Sequence, residues 1–511
     1  MNGGKSNLSL QVFLQDSKTY NIIPIQEHFF SDRITPIELF ESVEKEAVYL
    51  LESKDEKSEW SNFSFIGLNP MFTMEGSETI YLKDTKGHIL YESKNLPDLF
   101  KASNDILKVK KIEELNVPFT GGAVGYVAYD HIQHIEKVNL RKNSEEDHTV
   151  RLFICETLFI MDHKKNSVSI IHYLQLTGKE TKEQKEILFE NGKHKLEKLV
   201  QKIHQKSDKD KESSPTLQKQ EMKKTLPVTS SYTKEKFCED VHKVQQYILQ
   251  GDIFQCVLSQ RFSIKATMKA FDVYRVLRNT NPSPYLFFIK LKDSELIGSS
   301  PERLVQVKNG ELEIHPIAGT RKRGKSKGED EKLKENLLQD EKEAAEHIML
   351  VDLARNDIGR VAKYGSVKTN RLREVIYFSE VMHLISVVNG ELDEKRTPIE
   401  AMLATFPAGT VSGAPKVRAM QIIEELEPIA RKKYAGAVCY ISFDGNIDSC
   451  ITIRTIEKTD DTFHIQAGAG IVADSIPELE WEETNNKAKA MLQAIQIAHN
   501  LFSREGVVEH D

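Results

Sequence analysis

Hydrophobic and polar positions fall into short blocks over the first part of the chain, with longer stretches at helical spacing between them. The runs EAVYLLES, FSFIGL, FTMEG, TIYLKD, GGAVGYVAYD, VRLFICETLFIMD and SVSIIHYLQL are rich in β-branched and aromatic residues and are separated by turn formers, which predicts strands. IELFESVEKE and KEQKEILFENGKHKLEKLVQKIHQ carry apolar residues at helical spacing and predict helices. From His204 to about Thr225 scarcely an apolar residue occurs. That stretch buries too little surface to offset the entropy of ordering and reads as a surface linker. Beyond it, YTKEKFCEDVHKVQQYILQGD predicts a helix closing near Gly251, and IFQCVLSQRFSIK and YLFFIKLKDSELIGSS predict strands. One long helix is expected from about Leu333 to Asp357 and another from Pro415 to about Leu426. AGAVCYISF, SCITIRTIEK and TFHIQAGAG predict three more strands, and a last helix begins near Pro477. Strands and helices in blocks predict an α+β fold with large antiparallel sheets. The expected parts are 1–203, a polar linker 204–228, and 229–503, the two halves packing together.

At 511 residues the chain exceeds one ordinary core, which agrees with two parts or one large composite domain. A net charge of −7 argues against a nucleic-acid binder. No run approaches the roughly 18 apolar residues of a membrane span, and MNGGKSNLSLQVF lacks a signal-peptide core. Cys155, Cys238, Cys256, Cys439 and Cys450 lie scattered with no C-x-x-C pair, as expected for reduced thiols in a cytoplasmic protein.

Candidate chemistry concentrates in the C-terminal half. HPIAGTRKRG (His315 to Gly324) reads as a turn offering N–H groups and positive charge to an anion, with the basic run after Thr320 solvated. Glu343 and Glu346, beside His347, share one helical face, and Glu480 and Glu483 repeat that spacing. Four carboxylates from two helices suit Mg²⁺; each pair alone also fits a solvated helix face. FPAGTVSGAPK runs small residues into a helix start. Gly468-Ala-Gly470-Ile-Val-Ala473 matches a dinucleotide pattern without a βαβ unit, so a nicotinamide site is rejected and a tight glycine turn is expected. Arg454, read as a strand residue, suits either a rim salt bridge or a bidentate carboxylate clamp. Tyr434 suits packing or the same ligand. His383 suits a core histidine or a proton shuttle.

Over Tyr232 to Leu501 the chain resembles the chorismate-binding enzymes. The motifs run in family order: GDIFQCVLSQRF, SSPERL, HPIAGTRKRG, KEAAEHIMLVDLARNDIGR, SEVMHLISVV, FPAGTVSGAPK, KKYAGAVCYIS, ITIRT, QAGAGIVADS and PELEWEETNNKA. YLLESKDEKSEWSNFSFIGLNP is similar to the regulatory segment of the members that make anthranilate. The resemblance implies large antiparallel sheets around a central cleft with outer helices, and a regulatory N-terminal part. It implies chorismate as substrate and Mg²⁺ between Glu346 and Glu483, supported by Glu343 and Glu480. It assigns the pyruvyl carboxylate to Arg454, Tyr434, Gly468, Ala469 and Gly470, and the ring to Gly319, Thr320 and Thr410. Glu302 matches the acid that protonates the departing hydroxyl, and His383 the group assisting the second step.

Relatives that add water carry a lysine base where this chain has Gln255, and those that attack through a lysine carry it where this chain has Ala318. Ammonia is therefore the expected nucleophile and anthranilate the expected product. Aminodeoxychorismate and isochorismate formation are the alternatives, and a non-catalytic regulatory subunit is a third. No cysteine sits in a glycine-flanked nucleophile turn. The resemblance then implies a separate glutamine amidotransferase subunit, in a heterotetramer of two large and two small subunits. It also implies tryptophan as allosteric inhibitor at Glu52, Ser53, Pro284, Tyr285, Leu286, Val438 and Tyr440.

Overall fold

The computed structural model describes residues 8–54, 59–112, 115–140, 148–209, 225–377 and 381–502. Val150–Asp162 is buried at all but one position. It reads as a nearly unbroken apolar run because strands flank it on both sides. One side pairs along its length with Phe63–Gly76, the other first with Gly122–Val127 and then with Ser167–Gln175. Two antiparallel ladders diverge from this spine. The first runs through Phe63–Gly76, Ala47–Glu52, Tyr285–Lys290, Glu295–Ser300, Thr455–Thr459 and Thr462–Ile471 to Gln255–Lys265. The second runs through Gly122–Val127, Ala437–Ser442, Ile447–Ile451, Arg303–Lys308 and Glu311–Ile314 to Val381–Glu391, which pairs with both Ile317–Lys322 and Lys368–Tyr377. Each ladder crosses from one half of the chain to the other.

Helices cover the ladders from outside. Pro477–Phe502 packs on Thr462–Ile471, and Glu341–Gly359 packs on Ile317–Lys322 and Val381–Glu391. Lys182–Lys209 lies against Ser167–Gln175, so the first residues of the stretch read as linker are helical. Residues 210–224 of that stretch lie outside the described ones, and Val228–Ser230 forms a short strand on Gln255–Lys265.

Several expectations need correction. The helix predicted from Leu333 to Asp357 is two helices, Lys327–Gln339 and Glu341–Gly359. Asp340 breaks it: its backbone is extended (φ −69°, ψ 108°), and its carboxylate accepts from Lys342 N and Glu343 N. An N-cap bond of this kind outweighs continuing one helix. The strand predicted through Arg454 is interrupted at residues 452–454, where Arg454 takes a left-handed φ of 50°. The Gly468–Gly470 turn is instead straight strand, opposite Ser259 to Val257. HPIAGTRKRG also contains a strand, Ile317–Lys322, irregular only between Ala318 and Thr320, where Gly319 has φ 63°. FSFIGL and FTMEG join into one strand through an irregularity at Pro70, and Ile22–Phe30, Ile89–Ser93 and Lys368–Tyr377 are strands that the pattern did not flag.

Candidate active site

Glu302 lies where the chain passes from Glu295–Ser300 of the first ladder to Arg303–Lys308 of the second, and is fixed by its own carbonyl, which accepts from Ile451 N at 3.0 Å. Among the described residues its carboxyl accepts one side-chain hydrogen bond, from Thr410 Oγ1 at 2.7 Å. Burial pushes its pKa up to about 7, against the Thr410 bond and the Lys487 ammonium, which pull it down. A carboxyl half protonated near neutrality suits general acid work. A cavity of about 40 Å³ lies beside it, reaching His315, Asp357 and Thr405.

Thr410 sits on the loop 407–413. Gly413 and Ala414 pair with Cys256 and Gln255 of the first ladder, and Arg431 Nη1 holds Val411 O at 2.6 Å. At Gly409 any Cβ would collide with Leu353, so glycine lets the loop close onto Glu341–Gly359. The loop thereby joins the two ladders and brings Thr410 to Glu302.

Gly468 and Gly470 face the same side of their strand. A Cβ at Gly468 would stand 2.9 Å from Tyr434 Oη, and one at Gly470 would stand 2.7 Å from Gln255 Nε2. Ala469 points the other way, fully buried in the hydrophobic cluster with Phe237, Leu258 and Ile423. Only its backbone can serve the cleft. Arg454 Nη1 donates to Lys487 O at 2.9 Å, and among the described residues no carboxylate pairs with the guanidinium. Burial lowers its pKa, opposed by Tyr434 and Glu483. A desolvated guanidinium without an anionic partner is poised for a carboxylate.

On the second ladder, Thr320 Oγ1 and His383 Nδ1 lie 3.0 Å apart, and Gly319 O is 3.2 Å from the same nitrogen. Burial lowers the His383 pKa, so the neutral imidazole is favoured. The basic run is not solvated as expected. Arg321 binds Asp340 at 2.8 Å and Glu343 at 3.0 Å, and Arg323 binds Asp330. Those carboxylates cap and open the two helices, and the arginines tie Ile317–Lys322 to them.

The four carboxylates read as metal ligands come from two helices, Glu341–Gly359 and Pro477–Phe502. Burial raises Glu346, and Glu343 and Glu483 add to the rise by like-charge repulsion. Burial also raises Glu480, with Glu483 contributing. Such a set gains from a cation. Protein cations supply it here: Lys487 reaches Glu483 at 2.7 Å, Lys342 stands 4.0 Å from Glu346, and Arg321 holds Glu343. Among the described residues no three acidic, histidine or cysteine groups stand close enough to bind a metal as they are. The donor chemistry nevertheless fits a hard divalent ion. His347 is fully buried behind this face, with Nε2 2.6 Å from Ser386 Oγ, and plays the core part.

Residues 46–493 match the family model of chorismate binding enzymes. The chain belongs to that family. It is 49% identical over 507 residues to anthranilate synthase component 1 of Bacillus pumilus, covering 99% of this chain and 98% of that protein. It is 50% identical to the protein of the same name in Bacillus subtilis (strain 168), covering 98% and 96%. Anthranilate synthase component I from Streptococcus pneumoniae TIGR4 superposes with TM-score 0.72 at 38% identity, covering 86% of this chain and 94% of that one. A menaquinone-specific isochorismate synthase from Escherichia coli shares the fold, at TM-score 0.66 and 17% identity over 95% and 98%.

In this family member the second predicted set lies where the ladders cross the halves. Glu52 stands opposite Leu286, and Lys54 N donates to Ser283 O at 3.1 Å, placing Ser53 and Pro284 on adjoining strand ends. Tyr285 Oη donates to Asp448 at 2.9 Å, and Asp448 is the register partner of Tyr440, with Val438 two positions along the same strand. Two functional neighbours escaped the sequence reading. Lys487 touches Glu483 and Gly468 O and acts on Glu302; it follows Glu483 by four residues, so the helical face of the glutamates was its signal. Arg431 and Glu427 form a buried pair that also holds Ser259, Val257 and Val411. Nothing in local sequence marked that pair.

Proposed function

We propose that this chorismate-binding enzyme converts chorismate and ammonia to anthranilate and pyruvate. The observation that carries the reading is Glu302: a buried carboxyl with pKa near 7, bonded by Thr410, in a chain with alanine at 318 and glutamine at 255. The naming of the relatives at about half identity supports it. Ammonia attacks one ring carbon as the hydroxyl on another leaves, taking its proton from Glu302 and departing as water. The added nitrogen then sheds a proton. Arg454, beside Tyr434 and the Gly468 backbone, grips the pyruvyl carboxylate, while Gly319 and Thr320 border the ring. In the second step the ring carbon that bears the added nitrogen loses its proton, with the neutral His383 imidazole oriented by Thr320 to assist. That electron pair makes the ring aromatic as the neighbouring carbon's bond to the enolpyruvyl oxygen breaks, and the departing enolpyruvate takes up a proton to become pyruvate. Glu346 and Glu483, aided by Glu343 and Glu480, would hold Mg²⁺, which when bound draws electron density through the ring carboxylate.

The relatives' name, component 1, supports a second component. We assign that role to a glutamine amidotransferase subunit that delivers ammonia, in a heterotetramer of two large and two small subunits. No helix among the described residues is long and apolar enough to cross a membrane, in keeping with work in the cytoplasm. Feedback inhibition by tryptophan is a second reading, favoured by the pairing that sets Glu52 against Leu286. Incubating the purified chain with chorismate, Mg²⁺ and ammonium at raised pH should develop anthranilate fluorescence. Isochorismate or aminodeoxychorismate as the end product would overturn the assignment.

A further inference from the structure

We propose that a second cleft, sharing no lining residue with the one beside Glu302, binds a small aromatic carboxylate. It measures about 320 Å³, at the lower end of the range for small-molecule sites. The cleft forms where the halves meet: Val48 at the start of one strand, Pro70 at the irregularity of the next, Phe153 on the spine, and Leu291 in the turn after Tyr285–Lys290. Glu52 of the expected inhibitor set ends the strand that Ala47 and Val48 begin, roughly 15 Å further along at strand rise. The two places are distinct.

Charge selects the ligand. The lining carries Arg151, Lys290 and Lys292 against the single carboxylate of Glu75. That carboxylate is shared, since Lys83 Nζ holds Glu75 Oε1 at 3.0 Å while Arg151 Nε stands 3.2 Å from Oε2. Arg151 is 6% exposed, and its buried Nε makes no hydrogen bond. No other hydrogen bond from that guanidinium occurs among the described residues. Buried donors are almost always satisfied; here the ion pair with Glu75 uses the Nε side alone and outside hydrogen-bond geometry, which leaves the guanidinium donors for a second anion. Lys290 is spent on Glu44 O and the Phe40 ring, and burial lowers its pKa against Glu44 and Glu295; it adds field more than a bond. Exposed Lys292 stands at the rim. A planar carboxylate matches the Arg151 fork in bidentate geometry, and an apolar ring suits Val48, Pro70, Leu291 and the Phe153 face. Inorganic phosphate shares the fork but gains nothing from those walls.

The test titrates the full-length chain with benzoate by calorimetry, with inorganic phosphate as the comparison anion. Saturable benzoate binding is expected, weakened about tenfold or more by Arg151→Gln and also by Lys292→Glu, with anthranilate formation within about twofold of the parent. Lys292 is exposed, so that variant reads binding without a folding penalty. Benzoate affinity unchanged in both variants, no saturable binding in the millimolar range, or tighter binding of phosphate would each overturn the proposal.

Discussion

Glu52 is a buried glutamate and Glu302 a partly buried one, both at strand ends, and their surroundings are opposite. Glu52 is saturated: Arg278 donates twice, at 2.7 and 2.9 Å, Tyr274 Oη at 2.6 Å, and Ser64 Oγ at 3.3 Å. Glu302 receives one side-chain bond among the described residues, from Thr410. The saturated carboxylate holds an architecture in place, because every lone pair has a fixed donor. The under-bonded one is free to exchange a proton, since burial works against its charged form and little offsets that. Bonding, more than burial, separates a group that holds the fold from one that works on a substrate.

The largest expected effect comes from Glu302→Gln, which should lower kcat by about 10² to 10⁴, with KM for chorismate little changed. The same variant should gain stability at high pH. A carboxyl whose folded pKa is raised favours the fold below its ordinary value near 4.5, and that benefit is lost as pH rises through about 7. Melting temperature compared at pH 5 and pH 8 reads the sign; a variant less stable than the parent at pH 8 would break the comparison. Glu52→Gln should do the reverse, costing about 3 kcal/mol of stability in urea unfolding because Arg278 is left buried with half its partner, while kcat with ammonium stays close to the parent. Ser53→Phe should raise the tryptophan concentration for half inhibition about tenfold with catalysis intact; unchanged sensitivity would remove tryptophan from that region. The smallest effect is expected from Thr410→Val. Its hydroxyl lowers the Glu302 pKa, so removing it should shift the basic limb of the kcat/KM profile upward, by roughly half a pH unit.

Residue identities along the cleft were legible in sequence, because the motifs keep their order and spacing. Glu302 is brought to Thr410, Tyr434 to Gly468, and Thr320 to His383. What stayed hidden was set by partners far along the chain. Arg321 looked solvated because Asp340 and Glu343 come to it only when a helix breaks at Asp340. Arg454 looked like a strand residue because Ile451, Ile453 and Thr455 alternate, whereas Thr452 N bonds Gly436 O and turns the chain away. Gly468 and Gly470 looked like a turn because glycine there answers a crowding neighbour, not a bend. Ile22–Phe30 was missed because Pro24 reads as a strand breaker, yet this strand pairs with only one neighbour along its length, where a missing N–H is tolerated.

The two ladders that cross between the halves have a consequence for cutting the chain. A polypeptide severed within 204–228 would look, from composition alone, like two modules parted at a seam. Each fragment would carry raw sheet borders, at Ala47–Glu52 and Gly122–Val127 on one side and at Tyr285–Lys290 and Ala437–Ser442 on the other. Borders of that length invite pairing with the wrong strand. The fragments should precipitate when made singly and recover solubility only when made together. The polar middle of this polypeptide is thus a poor place to divide it.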